Sequence, residues 1–253
     1  MYHDTLFTGK QCFVLNSVDS TNNYAAELLK NGLAHDGAVV SANFQTHGRG
    51  QRDRIWQSKP GENLLLSYIF QPKRLNVSNQ FLMNAAFALA ICNLLRDEYK
   101  INAQIKWPND IIVNDKKIAG LLVETSVKGS HIVSIIVGIG LNVNQTEFDD
   151  SLRATSINTE KSQTVDLNNC LNALSSQIEV LYLKLVQEKF NDILDLYNKV
   201  LYGHNTFKTF ETPFGLQDFK VIGLRTDGKL KVLDKHQNPH HLEFGKCRMK
   251  WGV

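Results

Sequence analysis

The chain has 253 residues, 43% hydrophobic and 21% charged, enough for one large domain, or one large and one small, around a buried core. A formal net charge of +3 is too modest to point to nucleic acid, and the absence of an apolar run of about 18 residues, or of a basic segment leading into one, argues against a membrane span and a signal peptide. The four cysteines, Cys12, Cys92, Cys170 and Cys247, are scattered with no C-x-x-C pair, which argues against a zinc site or disulfide framework and fits a reducing cytoplasm.

Residues 11–18 read as a strand, and Ser20-Thr21 then cap a helix with Tyr24, Ala25, Leu28 and Leu29 on its apolar face and Gly32 as its stop. Residues 37–44 read as a second strand. The polar stretch 46–61, with three glycines and three arginines, reads as a long loop of functional length. A strand at 64–70 precedes a helix over about 77–98, whose stripe runs through Phe81, Leu82, Ala85, Ala86, Leu89, Ala90 and Leu94. Short β-rich pieces follow at 104–107, 111–113, 118–124 and 132–138, with Asn114-Asp115 as a turn. Helices over about 167–187 and 190–200 lead to a change of character after Gly203, where 207–251 alternates short strands with turn signals at Pro213-Gly215, Asp227-Gly228 and Asn238-Pro239. The pattern predicts an α+β fold, a mixed sheet with helices on one side, followed by a small β-barrel from a boundary near 201–205.

Five short motifs carry chemistry. In Gly48-Arg49-Gly50-Gln51-Arg52-Asp53-Arg54-Ile55-Trp56, glycines admit backbone to a ligand and arginines offer forked donors to phosphate or carboxylate; a solvated basic loop is the alternative. In Lys106-Trp107-Pro108-Asn109-Asp110, Lys106 suits a triphosphate, Asn109 can support a magnesium shell and Asp110 can hold either neighbour, unless the segment is simply a strand corner with a packed tryptophan. Lys116 and Lys117 open an apolar strand broken by Gly120; strict alternation puts Lys117 with Ala119 and Leu121, and Lys116 with Ile118 and Gly120. Residues 137–144 contain a G-x-G that reads as a glycine-bent strand entering a turn. Asp19-Ser20-Thr21-Asn22 reads first as a helix cap and second as hydrogen-bonding groups for a small polar ligand.

Taken together, D-S-T-N, Q-T-x-G-R-G-x-x-x-R-x-W, K-W-P-N-D, K-x-A-G-L-L-V-E and G-I-G-L-N-V-N resemble the biotin–protein ligase family, over Asp19 to Asn144. The resemblance implies a class II synthetase-like catalytic domain over 1–203 and a small SH3-like β domain over 204–253. It implies biotin contacts from Ser20, Thr21, Asn22, Gln45, Arg49, Gly50, Gln51 and Lys117, and nucleotide contacts from Arg54, Lys106, Asn109 and Asn142, with Lys117, Arg54 and Lys106 carrying the charge work of catalysis. It also implies ATP and Mg²⁺, the metal arriving with ATP near Asn109 rather than in a protein cage, and a lysine of a biotin carboxyl carrier protein as acceptor. Gln51 stands where arginine is frequent and Asp53 where glycine is; Asp53 is expected to pair with Arg52 or Arg54 in the open loop. Because the catalytic part begins by about residue 11, no DNA-reading domain is expected, and neither is a membrane partner; a homodimer is left open, and the expected location is the cytoplasm. The rival readings are a lipoate–protein ligase, whose arginine-arginine-x-serine-glycine-glycine-glycine loop has no counterpart here, and a non-catalytic biotin-binding regulator. His236, His240 and His241 read as solvated loop histidines rather than a metal site.

Overall fold

The computed structural model describes residues 5–51 and 54–251. The first strand, β1 (Cys12–Val18), runs into α1 (Thr21–Lys30), and β2 (Ala38–Gln45) returns parallel to β1. Then come β3 (Leu64–Phe70), the two-residue β4 (Leu75–Asn76), a 3₁₀ turn at Val77–Asn79 and α2 (Gln80–Asp97). Four strands follow, β5 (Gln104–Lys106), β6 (Asp110–Val113), β7 (Lys116–Lys128) and β8 (His131–Leu141). The eight strands form one mixed sheet in the order β1-β2-β3-β8-β7-β6-β5, with β4 paired to β8.

Pairing in this sheet is antiparallel except between β1 and β2. The turn between β6 and β7 has Asn114 and Asp115 both at positive φ, the geometry that asparagine and aspartate tolerate in a tight hairpin. Helices α3 (Ile157–Lys161), α4 (Leu167–Val186) and α5 (Phe190–Lys199) complete this part. The short α3 carried no periodic signal, being a single turn capped by Ser156 Oγ, which accepts from Thr159 N.

Alternation along the strands decides which helix covers which face. Tyr68 and Phe70 of β3 and Val137 and Ile139 of β8 enter a core with α2, α4 and α5. Ile69 and Ile136 point the other way and meet Ala25 and Leu28 of α1. Thus α2, α4 and α5 lie on one side as expected, whereas α1 covers part of the opposite side. Segment Val77–Asp97 is long and apolar enough by composition to cross a membrane, contrary to expectation, yet 67% of its most apolar 18-residue window is buried; its place is the core beneath the sheet.

The remaining strands, β9 (Phe207–Thr212), β10 (Gly215–Leu224), β11 (Leu230–Leu233), β12 (Pro239–Leu242) and β13 (Arg248–Met249), form a second, antiparallel sheet in the order β12-β11-β10-β9-β13. It docks on the first part through shared apolar residues such as Phe210, Val221 and Leu230, and through Trp107 Nε1, which donates to Gly228 O at 3.2 Å.

One buried charge fastens the N-terminal segment. Glu179 of α4, 6% exposed, accepts backbone N–H bonds from Leu6, Phe7 and Thr8 at 2.8–3.0 Å. Burial alone would raise its pKa, but the amide donors outweigh burial and hold it below the usual glutamate value. Its stabilising contribution is therefore fully present above that usual value and is lost as pH falls through the depressed one. Glu179→Ala should cost about 3 kcal/mol, because it strands buried donors. Urea unfolding at neutral pH and at pH about 3 checks this, since the penalty should shrink in acid.

Candidate active site

The site lies on the α1 side of the large sheet, where the strands run out of side chains. On β8 the large residues Val137, Ile139 and Leu141 enter the core, while Gly138 and Gly140 face the trench. The G-x-G lies near the end of this strand, which stops at Leu141, as a strand entering a turn. Gly120 of β7 pairs with Gly140, and together they form a floor on which the Trp56 indole rests. A Cβ at Gly140 would overlap that indole, and one at Gly138 would collide with the Asn22 amide.

Lys117 reaches the same trench through a bulge. Ile111 pairs with Ala119 but Ile112 pairs with Lys117, so Ile118 is the extra residue and strand parity flips there. Lys117 thus shares a face with Gly120, close to which its Nζ lies, and not with Ala119 and Leu121 as strict alternation predicts; those two enter the core. Lys117 Nζ is ion-paired with Asp110 Oδ1 at 2.5 Å and lies 5.4 Å from the centre of the Trp56 ring.

At one end the trench becomes a small pocket of about 50 Å³, lined by Ser20, Thr21, Asn22, Gln45, Arg49 and the glycine floor. Ser20 takes the N-cap position of α1 in extended backbone, but its side chain makes no capping bond, contrary to the first reading of that motif. The polar groups instead bond one another. Gln45 Oε1 accepts from Thr21 N at 2.7 Å and from Thr21 Oγ1 at 3.1 Å. Ser67 Oγ, a strand serine outside every motif, lies 2.6 Å from Asn22 Oδ1 and 2.8 Å from Thr21 Oγ1. Such a chain of neutral donors and acceptors suits a neutral polar ring.

At the other end a cleft of about 420 Å³ is lined by Arg54, Lys106, Asn109, Asp110, Asn142 and Arg153, and by Phe244, Cys247, Arg248 and Trp251 from around β13. Gly50, Gln51, Trp56, Asn109 and Lys117 border both spaces. Asn109 Nδ2 donates to Leu121 O at 2.7 Å and Asn142 Nδ2 to Thr155 O at 3.0 Å, so backbone carbonyls fix both amides in place. Lys106 is 4% exposed, with its Nζ 4.5 Å from the centre of the Trp251 ring. Burial, helped by Arg248, Lys117 and Arg54, brings its pKa down to about 8, against an opposing pull from Asp110. Asp110, expected to hold a neighbour in its motif, ion-pairs across the hairpin with Lys117.

The loop between these spaces folds back on itself. Arg49 bridges to Ile55, Trp56 N donates to Gly48 O at 2.9 Å and Gly50 N to Arg54 O at 2.6 Å. A Cβ at Gly48 would come within 2.7 Å of Trp56 O, which is why glycine is needed there. Arg49 donates to Asn23 Oδ1 and Glu124 Oε1, each at 2.9 Å. The expected pairing of Asp53 with Arg52 or Arg54 lies outside the described residues.

A neutral pocket, a cationic cleft and a glycine loop at their junction are what a ligase that activates a carboxylate with a nucleotide requires. Residues 14–142 match the model of the biotin/lipoate A/B protein ligase family. The chain belongs to this family. It is 31% identical over 225 residues to the bifunctional ligase/repressor BirA of Bacillus subtilis, covering 87% of this chain and 69% of that relative. It is 36% identical over 132 residues to the biotin--[acetyl-CoA-carboxylase] ligase of Paracoccus denitrificans, covering 51% and 53%. The structure of biotin protein ligase from Aquifex aeolicus in complex with biotin and ATP superimposes with a TM-score of 0.81 at 26% identity, over 96% of this chain and all of that one.

The site of this family member draws one wall, Phe244 to Trp251, from a region whose composition showed no chemistry. No local signal could have found it, because these residues reach the cleft only through packing of the two sheets.

Proposed function

We infer that this chain is a biotin–protein ligase, which activates biotin with ATP and transfers it to a lysine of a biotin carboxyl carrier protein. The observation that carries the reading is the junction: Lys117 stands where a neutral ring pocket meets a cationic cleft. A ligand with a neutral ring, an apolar chain and a terminal carboxylate would run from Thr21 and Gln45, over the glycine floor, to Lys117. The domains that serve this reaction are 1–203, and 204–253 as a small C-terminal SH3-like unit that walls the nucleotide cleft.

In the first step the biotin carboxylate attacks the α-phosphorus of ATP; a P–O bond forms, the bond to the bridging oxygen breaks and pyrophosphate leaves. Two anions must meet, so positioned cations do most of the work. Lys117 takes the carboxylate, exchanging its resident partner Asp110 for the substrate. Lys106 and Arg54 take the phosphates, and Asn142 lies against the nucleotide. Mg²⁺ accompanying ATP would supply charge neutralisation on the phosphates, and Asn109, whose nitrogen is committed to Leu121 O, would offer it a neutral side-chain oxygen.

In the second step the acceptor amine attacks the acyl carbon, the amide bond forms and the C–O bond to AMP breaks. Until then, Arg49, Gly50 and Gln51 cover the mixed anhydride from water. The Trp56 indole lies on the glycine floor, so a ligand running along that floor must displace it. Free, unpaired cysteines support a reducing cytoplasm as the place of the reaction.

Gly138→Ala should raise the KM for biotin about tenfold, or ~1.4 kcal/mol, with little change in the KM for ATP, because the new Cβ displaces the Asn22 amide and leaves the cleft alone. The assignment as a whole is tested with labelled biotin, ATP and a carboxyl carrier domain. Incorporation that vanishes when the acceptor lysine becomes arginine is expected. Incorporation independent of that lysine would refute it.

A further inference from the structure

Glu124 belongs to neither the pocket lining nor the cleft lining, yet it touches both the ring pocket and the loop. It lies on β7, seven residues beyond Lys117, and faces the α1 side of the sheet. One carboxylate oxygen, Oε2, accepts from Asn22 Nδ2 at 2.7 Å; the other, Oε1, accepts from Arg49 Nη2 at 2.9 Å. Asn22 is 3% exposed, and its oxygen is held by Ser67. Arg49 is half-exposed, and its other guanidinium nitrogen reaches Asn23 on α1. A single side chain therefore joins a buried group of the ring pocket to the loop that covers it.

Resting on the assignment of the site to biotin activation, we propose that Glu124 is a positioning residue that orients Asn22 for the ring of biotin and latches the glycine loop over the activated intermediate through Arg49. The two roles fall on the two oxygens, and the energetics suit each. The Asn22 contact is to a buried amide, where a misoriented group is costly. The Arg49 contact is between half-exposed groups, where an ion pair is worth at most about 1 kcal/mol and is screened by salt. That is the strength a lid needs, closing the loop most of the time while letting the acceptor lysine in. A stronger clamp would trap the intermediate, and no clamp would release it to water.

Glu124→Gln separates the roles. The glutamine oxygen can still accept from Asn22, but its amide carries no charge for Arg49. Expected for this variant are a KM for biotin within about threefold of wild type and a loss of bound adenylate, without acceptor, about fivefold faster, as for ~1 kcal/mol of latch. Glu124→Ala should show the faster loss and, in addition, a KM for biotin raised about tenfold. Neither should change the KM for ATP. Raising salt from about 0.05 to 1 M should speed adenylate loss more in wild type than in Glu124→Gln, where only the phosphate contacts remain to be screened. This salt comparison is a readout that a purely structural role would leave unmoved, and the wild-type half needs no variant to fold.

Equal adenylate lifetimes in wild type and Glu124→Gln, or an identical salt response in both, would overturn the latch; an unchanged KM for biotin in Glu124→Ala would overturn the orienting role. If wild type forms no adenylate from biotin, the functional assignment fails instead. Proteolysis of the 48–56 loop then still reads the latch, with faster cleavage in Glu124→Gln than in wild type expected and equal cleavage contradicting it.

Discussion

Lys117→Ala should lower the rate of biotinyl-adenylate formation by about 100-fold, the loss usual for one preorganised charge-stabilising donor. The effect should fall on kcat more than on either KM, because the lysine is needed most as charge shifts between carboxylate and phosphate. A second consequence follows from the ion pair. With Lys117 gone, Asp110 loses its ion-pair partner beside the place where the substrate carboxylate must sit, and two carboxylates repel. Lys117→Ala combined with Asp110→Asn should therefore recover part of the loss, about tenfold. Single-turnover measurement of adenylate formation in both variants checks this. A Lys117→Ala enzyme with near-normal kcat would remove the lysine from the mechanism, and a double variant slower than the single would remove Asp110 as its resident counter-charge.

Lys106 should show itself as a pH limit on ATP use. Burial holds its pKa at about 8, so in the free enzyme the ammonium begins to deprotonate just above physiological pH. A triphosphate beside it favours the charged form, so binding ATP takes up a proton above that value. The KM for ATP should then be flat below pH about 8 and rise roughly tenfold per pH unit above it. Folding shows the opposite slope. Between about 8 and 10.5 the folded chain holds fewer protons at this site than the unfolded one, so Lys106 makes stability rise with pH there. Lys106→Arg should abolish the alkaline rise, since guanidinium stays charged, and Lys106→Met should lower kcat/KM for ATP about 100-fold at neutral pH. A KM for ATP that stays flat to pH about 10 in wild type would show that Lys106 does not face the phosphates.

Much of the architecture was legible from periodicity. The strands at residues 12–18, 38–45 and 64–70, helix α2 and the helix pair α4 and α5 fall where apolar spacing and turn residues put them. What alternation could not supply was the face. Lys117 was placed with Ala119 and Leu121 because a strand alternates, but one extra residue at Ile118 reverses that order and turns the lysine into the trench. A bulge leaves no mark in one sequence unless glycine or proline betrays it, and Gly120 was ambiguous between a bulge and a close approach.

Motif residues from distant parts of the chain line one candidate pocket and cleft, while their partnerships were not legible. Lys117 with Asp110, Arg49 with Glu124 and Lys106 with Trp251 join residues 7, 75 and 145 positions apart, and these distances arise from hairpin pairing and sheet docking, not from motif spacing. Lys117, the cation meant for the ligand's carboxylate end, already carries a carboxylate partner in Asp110. Binding at that end is therefore an exchange of anions, in which the gain is geometric as much as electrostatic.

The most direct test of the account is biotin-dependent exchange of labelled pyrophosphate into ATP, run beside lipoate and acid-free controls with magnesium present. Exchange is expected with biotin alone and is lost in Lys117→Ala. Exchange with lipoate instead, or none with either acid in folded protein, would contradict it.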